Sequence, residues 1–293
     1  MITKKLRSEY NGLIDLNILV TTYEEIAATR MRKTKNTVLQ NRTFLSDLNN
    51  IYGYVRNIYK GDIAKINIKK KLNVLNKTKG SVSVLLSANT GLYGSIVRST
   101  FDLFEKETKS TYDDIVIIGR IGKKLYDMFD KNKTYKYIDF TDGFISHDAT
   151  KQLLDYCLKY ENINVYHGLF VSILTQEAVD TKVTGDFGAQ STKNTERSAQ
   201  LSNYKVPAED IFEPSLTSIV DFFERQILSA IFEQALYESN LSKFAARMLS
   251  LDMATSRIAN NLKTTNFKMQ KARHNFMEHQ QLAVLTGMLV GKA

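Results

Sequence analysis

Apolar residues near the start of the chain recur at steps of three and four. No glycine or proline lies between Gly12 and Gly53. This spacing is typical of a long α-helix with one apolar line along it, and Lys60-Gly61-Asp62 predicts where that helix stops. The predicted line comprises Leu13, Leu16, Val20, Tyr23, Ala27, Val38, Leu45, Leu48, Tyr52, Val55 and Tyr59.

The other end of the chain repeats the pattern more regularly. After Pro214 no glycine or proline occurs before Gly287. At 1.5 Å per residue, a helix from Ser215 towards Ala293 would be on the order of 100 Å long, which exceeds the diameter of a compact domain of this size. We therefore expect it to pair with the N-terminal helix, although a homodimeric coil would show the same pattern. The spacing alternates four and three, as in a supercoiled seam, through Phe244, Met248, Leu251, Thr255, Ile258, Leu262, Thr265, Met269, Ala272 and Phe276.

Between the two helical ends, short β-branched strands alternate with helical stretches. Strands are predicted at 82–86, 115–118, 135–140 and 163–174, and helices at 96–106, after Gly122 and at 147–160. Residues 180–204 are polar and predict an irregular connection. The predicted fold is α/β, with a long antiparallel two-helix coiled coil from the two termini and a small Rossmann-like domain. The predicted domains are 1–60, 61–205 and 206–293.

Charge is concentrated at the two ends of the chain. The formal net charge is +9. Residues 1–60 hold ten basic and five acidic residues, and residues 240–293 hold eight basic and two acidic ones, so the ends carry +5 and +6 and the middle about −2. Two solvated basic helix faces would explain this. Alternatively, both ends enter one electronegative partner, which can be protein or nucleic acid.

No motif in the chain predicts catalysis. Gly119 to Lys124 resembles part of a phosphate loop, but the Walker pattern needs glycine at Ile117 and Ser or Thr at Lys124, so turn geometry explains these glycines better. The four histidines lack metal-site spacing, and Cys157 is expected to be a buried thiol. We therefore predict no enzyme activity, no cofactor and no metal.

Location also follows from composition. A single cysteine cannot build a disulfide framework, which indicates a reducing cytoplasm. The start of the chain lacks an apolar signal region. The apolar stretch from Leu282 to Gly291 is far shorter than the roughly 20 residues of a membrane span, so we expect no direct membrane insertion.

Several segments, in order, resemble the gamma subunit of F-type ATP synthases. Ile26 to Lys33 is similar to that family's Val-Ala-Ala-Ser-Lys-Met-Arg-Lys segment, and Ala245 to Thr255 to its Ala-Ala-Arg-Met-x-x-Met-x-x-Ala-Thr segment. Ser87 to Gly94 resembles its Ser-Ser-Asp-Arg-Gly-Leu-Cys-Gly turn, and Gly119 to Gly122 its Gly-Arg-Lys-Gly. Lys271-Ala272-Arg273 and Gly287 also fall in register. Departures from the pattern occur at Tyr23, Arg257-Ile258, Met269-Gln270 and His274.

The resemblance implies a central rotary shaft that couples rotation to ATP synthesis or hydrolysis within a hexameric ring of alpha- and beta-type subunits. An epsilon-type subunit and a membrane rotor ring are further implied partners, and the expected location is the cytoplasmic face of the membrane. Two alternatives stay open: a specialised F-type-like ATPase without proton translocation, as in mycoplasma gliding, and a basic coiled-coil scaffold or nucleic-acid-binding protein. The ring-contact residues that the resemblance implies are Tyr23, Arg30, Met31, Arg32, Arg247, Arg273, His274 and Gln280.

Overall fold

A computed structural model describes residues 2–58, 79–109, 113–129, 134–140, 142, 147–157, 159–183 and 216–290. These residues form two compact units: Met1–Thr29 with Arg247–Ala293, and Arg30–Ala246. The units divide both long helices, whereas the predicted domains follow whole elements. The elements are α1 (Ile2–Ile58), β1 (Lys79–Leu86), α2 (Ile96–Thr108), β2 (Asp114–Ile118), α3 (Arg120–Phe129), β3 (Tyr135–Ile138), α4 (His147–Cys157), β4 (Tyr160–Phe170), β5 (Gln176–Lys182) and α5 (Leu216–Val290).

The first unit is a helix pair made from the two ends of the chain. Val20 of α1 clusters with Leu251 and Ile258 of α5, and Ala254 and Leu262 pack at the margin. The buried positions Leu251, Ile258 and Thr265 lie seven residues apart, as expected for a coiled-coil seam. The predicted pairing of the N- and C-terminal helices is therefore confirmed.

Three residues of the predicted seam are exposed instead of buried between the helices. Leu16 and Tyr23 are each 46% exposed, and the buried line of α1 instead passes through Val20 and Ala27. Phe276 is 60% exposed. The apolar pattern of α1 has two parallel lines about one residue apart, and periodicity alone does not distinguish the line that faces α5 from its neighbour. Tyr59 and the predicted stop at 60–62 lie outside the described residues.

In the second unit α1 and α5 pack as an antiparallel pair. The Tyr52 and Phe223 rings lie 5.8 Å apart between centroids, and Arg42 pairs with Glu238. Residue numbers therefore rise along α1 as they fall along α5. An apolar cluster of Leu48, Tyr52, Ile227 and Ala230 closes the contact.

The sheet of the second unit has the strand order β3-β2-β1-β4-β5. The first four strands are parallel, with registers such as Leu85 opposite Ile117 and Tyr166. β5 runs antiparallel to β4 through a turn at 171–175. The strand predicted at 163–174 corresponds to β4, which ends at Phe170. The first residues of the connection predicted at 180–204 are the last residues of β5. The part of that connection from 184 onward lies outside the described residues.

Side chains alternate between two cores on opposite faces of the sheet, as the two-residue period of a strand requires. On one face Val82, Val84 and Leu86 pack with Leu153 of α4 and Phe232 of α5. On the other face Leu85 and Ile117 pack with residues of α2 and α3, namely Phe101, Phe104 and Tyr126. Because Leu228, Phe232, Ala235 and Leu236 belong to the first core, α5 is itself a layer of the α/β domain.

Candidate partner-contact surface

The far end of α5 exposes apolar side chains. Every residue from Arg273 to Gly287 is exposed, and we call this segment the α5 tip. At 100° per residue its large apolar side chains spread over about 240° of the helix circumference. Contiguous exposed apolar surface indicates a partner. The side chains concerned are Phe276, Met277, Leu282, Val284 and Leu285, which are 48 to 60% exposed.

A second apolar surface runs along α1 in the same unit. Leu16, Leu19, Tyr23 and Ile26 follow one another at steps of three, four and three, so they lie on one side of the helix. Their exposed fractions are 44 to 52%. We call these four residues the α1 stripe. Because it flanks the buried seam without entering it, the stripe offers apolar surface for a partner to cover.

The predicted contact residues occupy different settings. Arg273, His274 and Gln280 lie on the α5 tip, where His274 Nε2 is 3.2 Å from Glu278 Oε1. Tyr23 belongs to the α1 stripe. Arg30 and Arg32 are exposed, and Arg247 is half-buried. Met31 is only 7% exposed, which leaves little of its side chain for a partner.

The periodicity of the sequence does not reveal the α1 stripe, because it places Leu16 and Tyr23 in the seam; only the family resemblance implies a contact role for Tyr23. Leu19 and Ile26 have the same seven-residue spacing. Two parallel apolar lines on one helix are the signal that could have identified the stripe, since a two-helix pair buries only one of them.

A separate polar cluster lies at the carboxyl end of β1. The carboxylate of Asp142 accepts hydrogen bonds from the backbone N–H groups of Asn89 and Thr90 at 2.8 to 3.0 Å. It also accepts from Thr90 Oγ1 at 2.8 Å and from Tyr93 OH at 3.2 Å. A parallel α/β sheet usually binds an anionic ligand at this edge. In this chain the carboxylate of Asp142 occupies the position at which such a ligand would bind.

The electrostatics of this cluster agree with its geometry. Burial by itself raises the pKa of Asp142, but the charge of Lys243 and the donors on Asn89 and Thr90 outweigh burial and hold the pKa below its usual value. Lys243, only 8% exposed, donates from Nζ to the carbonyl oxygen of Ser87 at 3.0 Å. The cluster therefore joins the sheet edge to α5.

The glycines near this edge serve packing and turn geometry. Gly119 has φ +95°, and a Cβ there would lie 2.7 Å from the backbone nitrogen of Ala88. A Cβ on Gly122 would lie 2.6 Å from Ser87 Cβ. The turn after β1 therefore approaches both the turn at Gly119 and the start of α3 at Gly122. The turn interpretation holds for Gly119, whereas Gly122 is a helix residue that leaves room for Ser87.

Burial favours the neutral form of two titratable groups of the second unit, Cys157 and His167. Cys157 is buried, which raises the pKa of its thiol to about 12, so thiolate chemistry is suppressed.

Within the described ranges no three His, Cys, Asp or Glu side chains are grouped so as to hold a metal. None of the helices in the described part of the chain has an apolar stretch long enough to cross a bilayer.

His167 makes the stability of the second unit depend on pH. Burial lowers the pKa of His167 to about 4, and its ring bonds Thr181 Oγ1 at 2.9 Å. The unfolded chain binds this proton near pH 6.5, so stability is lost as pH falls from 6.5 towards 4. We expect His167→Gln to remove about 2 kcal/mol of the stability difference between pH 7 and pH 5, measured by urea denaturation. Exposed His274, changed to Gln, is the control, and an unchanged pH dependence in His167→Gln would refute the assignment.

The two terminal helices pair with each other, and an α/β domain lies between them in the sequence. Two solved structures share the fold. The rotor of the Euglena gracilis mitochondrial ATP synthase matches with a TM-score of 0.62 at 14% identity, over 94% of this chain and 99% of that one. A chain of the same enzyme's OSCP/F1/c-ring assembly matches with a TM-score of 0.67 at 13% identity, over 99% of this chain and 94% of that one.

Sequence comparison agrees with the fold. The family model described as ATP synthase matches residues 3–287. The ATP synthase gamma chain of Cytophaga hutchinsonii is 21% identical over 97% of both chains, and that of Halothermothrix orenii is 23% identical over 92% of both. The chain belongs to the ATP synthase gamma-chain family, as its motifs indicated.

Proposed function

We infer that the chain is the central rotary shaft of an F-type ATPase. The observation that carries this proposal is the α5 tip, whose exposed apolar side chains spread over about two thirds of the helix circumference. A partner on one face would cover only part of it, whereas a surrounding ring covers it all. Family membership across residues 3–287 supports the same role.

In this role the chain performs no chemistry. ATP is bound and cleaved or made in a ring of alternating alpha- and beta-type subunits. The shaft presents different surfaces to the ring subunits, the α1 stripe on one side among them, so each orientation favours a different conformation of a given catalytic site. Rotation and ATP turnover are thereby coupled. The gamma subunit is accordingly a non-catalytic subunit.

We further propose that the ring is contacted by Tyr23 and by the exposed cations and polar residues of the helix ends. Exposed ion pairs contribute little and are screened by salt, which suits a surface that must slide past successive partners. The α1 stripe and the α5 tip add apolar surface to this set. The proposed contact residues are Tyr23, Arg30, Met31, Arg32, Arg247, Arg273, His274 and Gln280, and Met31 offers the least surface because only 7% of it is exposed.

The remaining partners follow from the same role. We propose that an epsilon-type subunit and a membrane rotor ring attach to the chain and that the complex couples to ion transport while peripheral to the cytoplasmic face of the membrane. The curated relatives are ATP synthase gamma chains, so a specialised, mycoplasma-like ATPase is not favoured. Family membership likewise disfavours a nucleic-acid-binding scaffold.

The test is reconstitution with the alpha- and beta-type subunits of the same organism. We expect a stable complex with one copy of this chain per hexamer, in which ATP hydrolysis turns a bead fixed to the α/β domain. Leu19→Asp in the α1 stripe should weaken assembly at least tenfold, because it buries an unpaired charge against the ring. Met128→Asp on α3, where the native side chain is 78% exposed, is the matched control. A chain that fails to join the hexamer, or a bead that stays still during hydrolysis, would refute the role.

A further inference from the structure

A buried carboxylate lies in the contact between α1 and α5 of the second unit. On α5 the inward line runs at steps of three and four and includes Ile227, Leu241 and Ala245, each at most 1% exposed. Glu238 takes one position of this line and is 3% exposed. A charged side chain at a seam position lowers stability unless it is paired, so the stability of this contact depends on the partners of Glu238.

The partner on the opposite helix is Arg42. Its Nε donates to Glu238 Oε1 at 2.7 Å, and its Nη2 donates to the same oxygen. Gln234 Nε2 donates to that oxygen as well, at 2.7 Å. The Arg42 side chain is 46% exposed, so the guanidinium reaches in from the rim of the contact while the carboxylate stays inside.

The apolar residues of this contact favour the observed axial position of α1 along α5 only weakly over neighbouring positions. Both lines repeat at near-heptad spacing, so a slide by one helical turn, about 5.4 Å, brings apolar residues opposite one another again. The same slide would place Glu238 opposite Val38 or Leu45, where it would be buried without a cation. The cost of an unpaired buried charge exceeds that of small apolar mismatches.

We propose that Arg42 and Glu238 fix the axial register of α1 on α5. α5 is held by the sheet through Phe232, Leu236 and Lys243, so the ion pair determines where α1 lies along a fixed partner. A single buried polar position that sets register is the best-attested use of such groups. Its consequence for rotation, a shaft whose two helices do not slip under torque, rests on the proposed function.

The test measures register directly on the full chain. Spin labels are placed at the exposed positions Gln40 and Arg225 in a Cys157→Ala background, which removes the single native thiol. Double electron–electron resonance should give one narrow distance for the parent. For the double variant Arg42→Met with Glu238→Leu we expect a folded chain with an added population displaced by about 5 Å, one helical turn.

Two outcomes would overturn the proposal. One is a double variant whose distance distribution coincides with that of the parent, which would show that apolar packing alone sets the register. The other is equal broadening in Lys35→Met, a matched loss of an exposed cation one heptad away on α1. Because the labels report on the isolated chain, this result is independent of whether the chain turns in a ring.

Discussion

Asp142→Ala is expected to lower the free energy of unfolding of the α/β domain by about 3 kcal/mol or more, as found when buried polar partners are removed. The substitution removes the acceptor of hydrogen bonds that are donated by two backbone N–H groups, Thr90 Oγ1 and Tyr93 OH. It also removes the carboxylate that faces the buried charge of Lys243. Urea denaturation followed by tyrosine fluorescence measures the loss.

Asp139→Ala is the matched control for this prediction. Asp139 is an exposed carboxylate three residues earlier in the chain, and it accepts a hydrogen bond from Asn89 Nδ2 at 2.8 Å. Its loss should cost under about 1 kcal/mol. Hydrogen exchange adds a local readout, since residues 88–93 should lose protection in Asp142→Ala and keep it in the control. Equal stability of the two variants would show that the Asp142 cluster does not hold the sheet edge.

Gly119→Ala is expected to have a similar effect through the backbone. Alanine at φ +95° costs about 1 to 3 kcal/mol, and a Cβ within 2.9 Å of three backbone atoms of Ala88 forces the turn after β1 to move, at a further 1 to 3 kcal/mol or so. We therefore expect a loss of about 3 kcal/mol in stability. The displaced turn carries Asn89, which donates to Asp142, so the cluster should loosen as well.

Gly91→Ala provides the comparison for Gly119→Ala. A Cβ on Gly91 meets no atom within 4 Å, and the residue does not have a positive φ. It should change stability by less than about 1 kcal/mol, within the range of ordinary surface substitutions. Thermal denaturation by circular dichroism suffices for both variants. A Gly119→Ala protein as stable as Gly91→Ala would show that the close approach of the two turns relaxes freely.

Much of the fold could be predicted because its periodicities are long. The four-three spacing from Phe244 to Ala272 extends over many turns, and few other structures show it. The strands at 82–86 and 115–118 were predicted from short β-branched runs that end in glycine-containing turns. The family was indicated by the segment from Ala245 to Thr255, which is similar to a segment of the gamma subunits, and composition alone does not indicate it.

The errors lie where several placements satisfy the same local pattern. Leu16 and Tyr23 repeat every seven residues just as Val20 and Ala27 do, so only the presence of α5 on one side separates seam from stripe. β5 is short and polar on its exposed face, so its own sequence does not predict a strand. It forms a strand because it pairs with β4. Asp142 and Lys243 are 101 positions apart in the sequence, and no spacing rule connects them.

The sequence by itself determined that both ends are long helices and that strands alternate with helices between them, because these features depend on neighbours three or four residues away. Only the tertiary structure decided which apolar line is buried, which carboxylate fills the anion position at the sheet edge, and which arginine pairs with Glu238. Those choices depend on residues that meet through folding, and their energies come from burial and pairing across distant segments.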